Sequence, residues 1–152
     1  MKKFSEFRIG DKFFSTCSIS NKELNEYFNF SRVRNAFLED YGDKEQQLVS
    51  GRAALSRMEG EFTRLSQIYG NHIIFVGTDG DPDWENRSTR FLKPLHTDEV
   101  LKIQYTISGK EDIDDDYGKI AVDFEGTTQQ GEIVLVSKKN LYRIKKEPPR
   151  RN

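Results

Sequence analysis

Three stretches of sequence decide the fold: RFLKPLHTDEVLKIQYTI (90–107), YGKIAVDFEG (117–126) and GEIVLVSKK (131–139). Apolar and polar side chains alternate through the first two, which is typical of β-strands with one buried face. The third contains a more continuous apolar run. The intervening residues 108–118 and 126–131 are rich in turn-forming residues, so they predict hairpins and hence an antiparallel sheet.

One long helix is predicted over residues 48–69, before these strands. Its apolar side chains recur every three or four residues, as Leu55, Met58, Phe62 and Leu65, and such spacing forms one continuous stripe. Gly70 then supplies a C-terminal stop. A helix with one apolar stripe needs a concave apolar surface, which alternating strands can supply. The sequence therefore predicts an α+β fold in which an antiparallel sheet wraps around one long central helix.

The amino-terminal part of the chain predicts shorter elements. Residues 13–19 alternate as a strand, and Ser20 with Glu23 forms a capping box at the start of a short amphipathic helix. Residues 30–47 are polar and predict a loop, and residues 72–76 form an apolar run that predicts a buried strand. We expect a single domain over residues 1–143 and a basic, disordered tail over residues 144–152.

Composition restricts the classes of function. The 152 residues include 24 basic and 25 acidic side chains, for a formal net charge of −1, which argues against binding to nucleic acid through bulk charge. The single cysteine, Cys17, excludes an intrachain disulfide and fits a reducing compartment. The chain has no apolar run of about 18 residues and no signal-peptide pattern. We therefore expect a cytoplasmic protein that binds neither nucleic acid nor membranes.

Three motifs give the chain a family resemblance. It begins with FRIGDKFFSTCSISNKELNEYF (7–28), which is a Gly-Asp turn, a strand and a capped short helix. A glycine opens the next helix in LVSGRAALSRM (48–58), and RFLKP (90–94) contains a Phe-x-x-Pro turn. The chain thus resembles the MaoC-like family of hotdog-fold (R)-specific enoyl thioester hydratases and dehydratases, and the resemblance covers nearly all of residues 4–142.

The resemblance implies the addition of water to a 2-enoyl thioester, or the reverse reaction. In that family a carboxylate and an imidazole activate the water, and an amide at the start of the helix stabilises the enolate oxygen. The family motif places Asp, then Asn-Pro, then His within six residues. In the matching stretch FSRVRNAFLED (30–40), the Asp position falls on Val33 and the His position on Leu38. Neither side chain can transfer a proton.

Two family positions are retained, the Asn at Asn35 and the helix-opening glycine at Gly51. The resemblance implies that they bind substrate, so we predict an acyl-thioester-binding protein for acyl-coenzyme A or acyl carrier protein. The alternative for Asn35 is a local backbone hydrogen bond, and for Gly51 it is close packing. If the protein is an enzyme, the resemblance implies an enoyl-CoA hydratase or dehydratase, a lyase of fatty acid metabolism.

Two other functions remain open at the level of sequence. The chain could be the non-catalytic subunit of a heteromeric dehydratase, with Asp and His supplied by its partner. It could also be a hotdog thioesterase, which would use a carboxylate such as Glu59 or Glu61, although both are expected to face solvent. The resemblance implies a homodimer, or a heterodimer with a related hotdog subunit, in which two sheets join edge to edge. It implies no metal and no cofactor apart from the coenzyme A or carrier protein of the substrate.

Several other polar residues have both a functional and an ordinary interpretation. Glu39 and Asp40 could replace the missing carboxylate, but charged side chains are usually solvated. His96 is expected in an exposed turn, and His72 in a capping or packing role rather than as a catalytic base. The acidic runs 79–83 and 111–116 lack the glycine and glutamate of a calcium loop, so they predict solvated loops.

Cys17 and Trp84 complete the candidates. Cys17 is expected to be a buried structural thiol, because no basic residue neighbours it in the sequence. Trp84 is expected to pack within its loop, with an interface anchor as the alternative.

Overall fold

The computed structural model describes residues 1–36, 45–80, 82–85 and 87–148. Its architecture is an antiparallel sheet packed against one central helix, as the strand pattern predicts. In chain order the strands are β1 (Lys12–Cys17), β2 (Leu48–Val49), β3 (Ile73–Thr78), β4 (Thr89–Phe91), β5 (Leu95–His96), β6 (Leu101–Asp112), β7 (Tyr117–Thr127) and β8 (Ile133–Lys145). The α-helices within the described residues are α1 (Asn21–Ser31) and α2 (Gly51–Arg64), and short 3-10 helices cover Phe4–Glu6 and Pro82–Trp84.

The main sheet has the strand order β1-β6-β7-β8-β3, and β4 also pairs with β8. All of these pairings are antiparallel. The β6–β7 hairpin is longer than predicted, because β6 continues to Asp112 through residues that the sequence assigns to a loop. A bulge between Ile107 and Gly109 breaks the alternation there, which conceals the continuing strand from pattern analysis.

Helix α2 packs its apolar face on the concave side of the sheet. Ala53, Ala54, Met58 and Phe62 are buried along that face. The Phe62 ring lies 5.3 Å from the ring centroid of Tyr105, 5.8 Å from that of Phe124 and 5.0 Å from that of Tyr142. Burial of such aromatic rings supplies much of the hydrophobic stabilisation of a core. The sheet therefore wraps around the helix, as predicted.

Helix α2 is shorter than the predicted span of 48–69. Leu48 and Val49 pair with β5 instead, and Ser50 caps the helix. The first helical residue is Gly51 and the last is Arg64. Met58 and Phe62 of the predicted apolar stripe are buried, whereas Leu55 and Leu65 pack against the core and are only partly buried.

The prediction of a strand over residues 72–76 is confirmed, but the prediction that it is buried is wrong. The strand is β3, which pairs with β8 on one side and forms an edge of the main sheet. Ile74 is 62% exposed, and Phe75 and Val76 are also exposed. An apolar run indicates a strand but does not reveal whether both of its edges have neighbours.

Smaller predictions have mixed outcomes. The capping box at the start of α1 is confirmed, because the Glu23 amide donates to Ser20 Oγ over 3.1 Å and the Ser20 amide donates to Glu23 Oε1 over 3.1 Å. His96 lies in β5 rather than in a turn. No helix within the described residues is long and apolar enough to cross a membrane.

Candidate functional site

A pocket of about 340 Å³ opens at the start of helix α2. Three parts of the chain line it: residues 48–51 with Ala54, residues 91–95, and residues 134–135 of β8. Most of these side chains are apolar, and Lys93 is the charged residue among them. A small apolar cleft with a few polar groups is the usual form of a small-molecule site.

The amides of α2 give this pocket its polar end. The Ala53 amide donates to Ser50 Oγ over 3.1 Å, and the Ala54 amide donates to the Ser50 carbonyl over 3.0 Å. The amides of Gly51 and Arg52 precede the first backbone donor of the helix, which is the Ala54 amide, so no carbonyl within the helix accepts from them. They lie at the positive end of the helix dipole, where an oxygen carrying partial negative charge is stabilised.

Phe91 covers the backbone of Gly51 from the opposite wall. A Cβ atom built on Gly51 would lie 2.4 Å from Phe91 Cδ1 and 2.5 Å from Phe91 Cε1. No side chain fits at such a distance, so the glycine permits close contact between helix and ring. This contact supports the packing interpretation of Gly51, while its binding role stays a prediction.

None of the described residues of the FSRVRNAFLED stretch lines this pocket. Val33 and Asn35 are exposed in the segment that follows α1, and neither lines the pocket. Leu38, Glu39 and Asp40 lie outside the described residues. Gly51 is therefore the one predicted site residue that the described part of the chain places in a suitable cavity.

The two histidines have local contacts. His96 Nδ1 lies 3.0 Å from Glu99 Oε1, and the same carboxylate accepts the His96 amide over 2.9 Å. His72 is exposed, and its amide donates to Asn71 Oδ1 over 2.7 Å. Within the described ranges, no group of three His, Cys, Asp or Glu side chains is arranged to hold a metal ion.

The remaining candidates also have structural roles. Burial raises the pKa of the Cys17 thiol to about 11, so this thiol is a poor nucleophile at neutral pH. Asp114 accepts the amides of Asp116 and Tyr117 over 2.9 and 2.8 Å, and these hydrogen bonds lower the pKa of its carboxyl group. Trp84 packs against two cations, with Lys138 Nζ 4.2 Å from its ring centroid and Arg90 Cζ at 5.1 Å.

Comparison with solved structures shows that this chain has a known fold. No protein-family model and no curated protein sequence matches the chain. A solved MaoC-like dehydratase from Rhodospirillum rubrum matches over 97% of this chain and 99% of that one, with a TM-score of 0.68 and 14% identity. The chain has the hotdog fold of the MaoC-like proteins.

Two further structures have the same fold. A monoamine oxidase regulatory protein from Archaeoglobus matches over 96% of this chain and 95% of that one, with a TM-score of 0.74 and 19% identity. A Streptococcus mutans protein bound to acetyl-CoA matches over 96% of this chain and 88% of that one, with a TM-score of 0.52 and 14% identity. Identities this low establish the hotdog fold alone.

The central helix of this hotdog fold also carries two carboxylates that the sequence analysis expected to face solvent. Glu59 and Glu61 are half-buried rather than facing solvent. The Tyr142 hydroxyl donates to Glu59 Oε1 over 3.0 Å, and burial together with the charge of Glu59 raises the pKa of Tyr142. No local signal predicts this contact, because it joins residues 83 positions apart.

Phe91 is the site residue that sequence reasoning missed. It belongs to the Phe-x-x-Pro motif, which sequence reasoning used as a turn that carries the family resemblance and not as a part of the site. Its position against Gly51 depends on the pairing of β4 with β8, so only the assembled hotdog fold shows the contact.

Proposed function

We propose that this chain binds acyl thioesters of coenzyme A or of a carrier protein in the pocket at the start of α2. The acyl group packs against the apolar walls, and its carbonyl oxygen accepts a hydrogen bond from the amide of Gly51, which lines the pocket. The observation that carries this proposal is an apolar pocket that opens onto the amino-terminal end of the central helix. The acetyl-CoA bound to the Streptococcus mutans hotdog protein supports the ligand class.

The described residues that line the pocket favour binding over the hydration chemistry of the family. None of the described residues that line it is an Asp, Glu or His, and these are the usual acids and bases for adding water to an enoyl thioester. On the family resemblance, Val33 and Leu38 stand at the positions of the catalytic dyad, and this assignment also supports a binding role without hydration. We therefore propose a binding role without hydratase activity, and Asn35 remains a proposed second polar contact on the resemblance alone.

A non-catalytic subunit of a heteromeric dehydratase is the second candidate. The exposed apolar edge of β3, formed by Ile74, Phe75 and Val76, favours it, because such an edge readily pairs with another chain. The partner subunit would then supply the acid and base. A thioesterase based on Glu59 or Glu61 has less support, because neither carboxylate lines the α2 pocket and Glu59 accepts a hydrogen bond from Tyr142.

Calorimetric titration with butanoyl-CoA tests the binding proposal. We expect butanoyl-CoA to bind more tightly than free coenzyme A, because only the thioester fills the apolar pocket. The thioether butyl-CoA, which lacks the carbonyl oxygen, should bind about tenfold more weakly than butanoyl-CoA, the effect of losing one net hydrogen bond. Equal affinities for butanoyl-CoA and butyl-CoA would show that the helix amides do not bind the carbonyl oxygen. Failure to bind both acyl-CoA and acyl carrier protein would refute the proposal.

An absorbance assay tests the absence of hydratase activity. We expect purified protein to leave the conjugated thioester absorbance of crotonyl-CoA unchanged, because none of the described residues that line the pocket is an Asp, Glu or His. A MaoC-like dehydratase measured in parallel provides the positive control. Hydration by this chain at a comparable rate would mean that the dyad positions are wrongly assigned to Val33 and Leu38.

A further inference from the structure

The aromatic ring of Phe91 occupies a position that the proposed function leaves unexplained. Phe91 lines the α2 pocket and yet is 52% exposed. A side chain that both lines a pocket and contacts solvent lies at its mouth. Because the ring also lies against Gly51, an acyl group bound at Gly51 would lie beside it.

The backbone on both sides of Phe91 is held in place. Thr89 Oγ1 lies 2.8 Å from the buried Ser137 Oγ, and Phe91 pairs with Leu135 across β4 and β8. The Leu92 amide donates to the Val134 carbonyl over 2.8 Å. These contacts hold the Cα of Phe91 against the pocket, and its ring forms a wall near the start of α2.

The wall lies next to the proposed carbonyl site. Three ring atoms of Phe91 are within 2.8 Å of the position that a Cβ on Gly51 would occupy. A thioester carbonyl bound to the Gly51 amide places the first carbons of its acyl chain nearest to the ring. The far end of the chain would instead contact the deeper residues, such as Ala54 and Leu135.

We propose that Phe91 selects the acyl group by limiting its bulk next to the thioester carbonyl. Straight-chain acyl groups fit beside the ring, whereas groups branched at the carbon next to the carbonyl collide with it. This inference rests on the proposed thioester binding and adds the class of acyl group. Overpacking by one misplaced methyl group is costly because the surrounding walls cannot yield freely.

Butanoyl-CoA and isobutanoyl-CoA provide a sharp test. They are isomers, so the transfer of their acyl groups from water is closely matched and the affinity ratio reports shape. Calorimetry should show that wild-type protein prefers butanoyl-CoA by about tenfold, the usual effect of one misplaced methyl group in a pocket. Phe91→Ala should bring this ratio close to one, and Phe91→Leu should give an intermediate ratio.

Two control variants distinguish an effect of the shape of the Phe91 ring from general damage to the protein. Phe91→Tyr keeps the ring and should keep the wild-type ratio. Phe14→Ala removes another exposed phenylalanine, which lies on β1 outside the α2 pocket, and should also leave the ratio unchanged. An unchanged ratio in Phe91→Ala would overturn the inference while leaving thioester binding intact. Failure of wild-type protein to bind either acyl group, whether as the coenzyme A or as the carrier-protein thioester, would overturn the proposed function and this inference with it.

Discussion

Gly51 shows how one missing side chain allows the helix and the sheet rim to meet. Its backbone contacts the Phe91 ring so closely that even a methyl group has no space. The same residue lies at the positive end of α2. Close packing and the proposed carbonyl binding are therefore compatible roles of one position, since the first uses the Cα face and the second uses the amide.

Gly51→Ala should destabilise the protein although alanine is the better helix former. The clash with Phe91 should lower the free energy of unfolding by about 1–3 kcal/mol. In a Phe91→Ala background the same substitution should be neutral or stabilising by up to about 1 kcal/mol. Urea denaturation of the four proteins in this double-mutant cycle measures the coupling.

Gly60 supplies the matched control in the same helix. A Cβ on Gly60 has no heavy atom within 4 Å, so Gly60→Ala should raise the free energy of unfolding by about 0.5–1 kcal/mol. If Gly51→Ala and Gly60→Ala were equally harmless, the contact between Phe91 and Gly51 would not restrict the side chain at position 51.

Among the elements, β3 differs most from its prediction. Its residues Ile74, Phe75 and Val76 expose apolar side chains on a sheet edge. The opposite edge strand, β1, exposes Lys12, Phe14 and Thr16, which is a more polar surface. Isolated exposed apolar residues are ordinary, but three together on an unpaired edge indicate an interface. We therefore propose β3 as the edge through which this chain pairs with a second hotdog subunit.

Ile74→Lys should prevent self-association through β3. Ile74 is 62% exposed, so the substitution should be tolerated within one chain. In a symmetric pair it would place charge at an apolar interface and oppose assembly. Light scattering coupled to gel filtration should find a wild-type dimer and a monomeric variant.

Phe14→Lys is the control for this change, because Phe14 is 66% exposed on the other edge strand. It should leave the dimer intact. A wild-type protein that stays monomeric when purified alone, but pairs with a related hotdog subunit through β3, would favour the heteromeric dehydratase. Dimers of equal stability in wild type and Ile74→Lys would exclude β3 as the interface.

On the scale of the whole molecule, β8 connects the parts of the hotdog fold. Its first half pairs with β4 beside the pocket, and its second half pairs with β3 at the sheet edge. The register shifts where β8 passes between these partners. There the Asn140 side chain donates to the carbonyls of Val122 and Ser137 over 3.2 and 3.1 Å. This buried hydrogen bonding satisfies backbone groups that the interrupted ladder leaves without partners.

Sequence patterns correctly predicted the elements whose signals lie within a few neighbouring residues. Alternation marked β6 and β7, the capping box marked α1, and three- to four-residue spacing placed Met58 and Phe62 on the buried face of the central helix. Each of these signals depends on residues a few positions apart, where side-chain direction follows from backbone periodicity. The Gly51 and Phe-x-x-Pro motifs also carried the resemblance that led to the hotdog fold.

Long-range pairing and packing determine which strand lies at an edge of the sheet, where α2 begins, and which side chains are in contact. The exposure of β3 follows from its place in the strand order, and Leu48–Val49 left the helix because β5 offers a hydrogen-bonded partner. The contacts of Phe91 with Gly51 and of Glu59 with Tyr142 join distant parts of the chain. Periodicity constrains the face that a residue occupies, but the identity of its neighbour depends on how all the strands assemble.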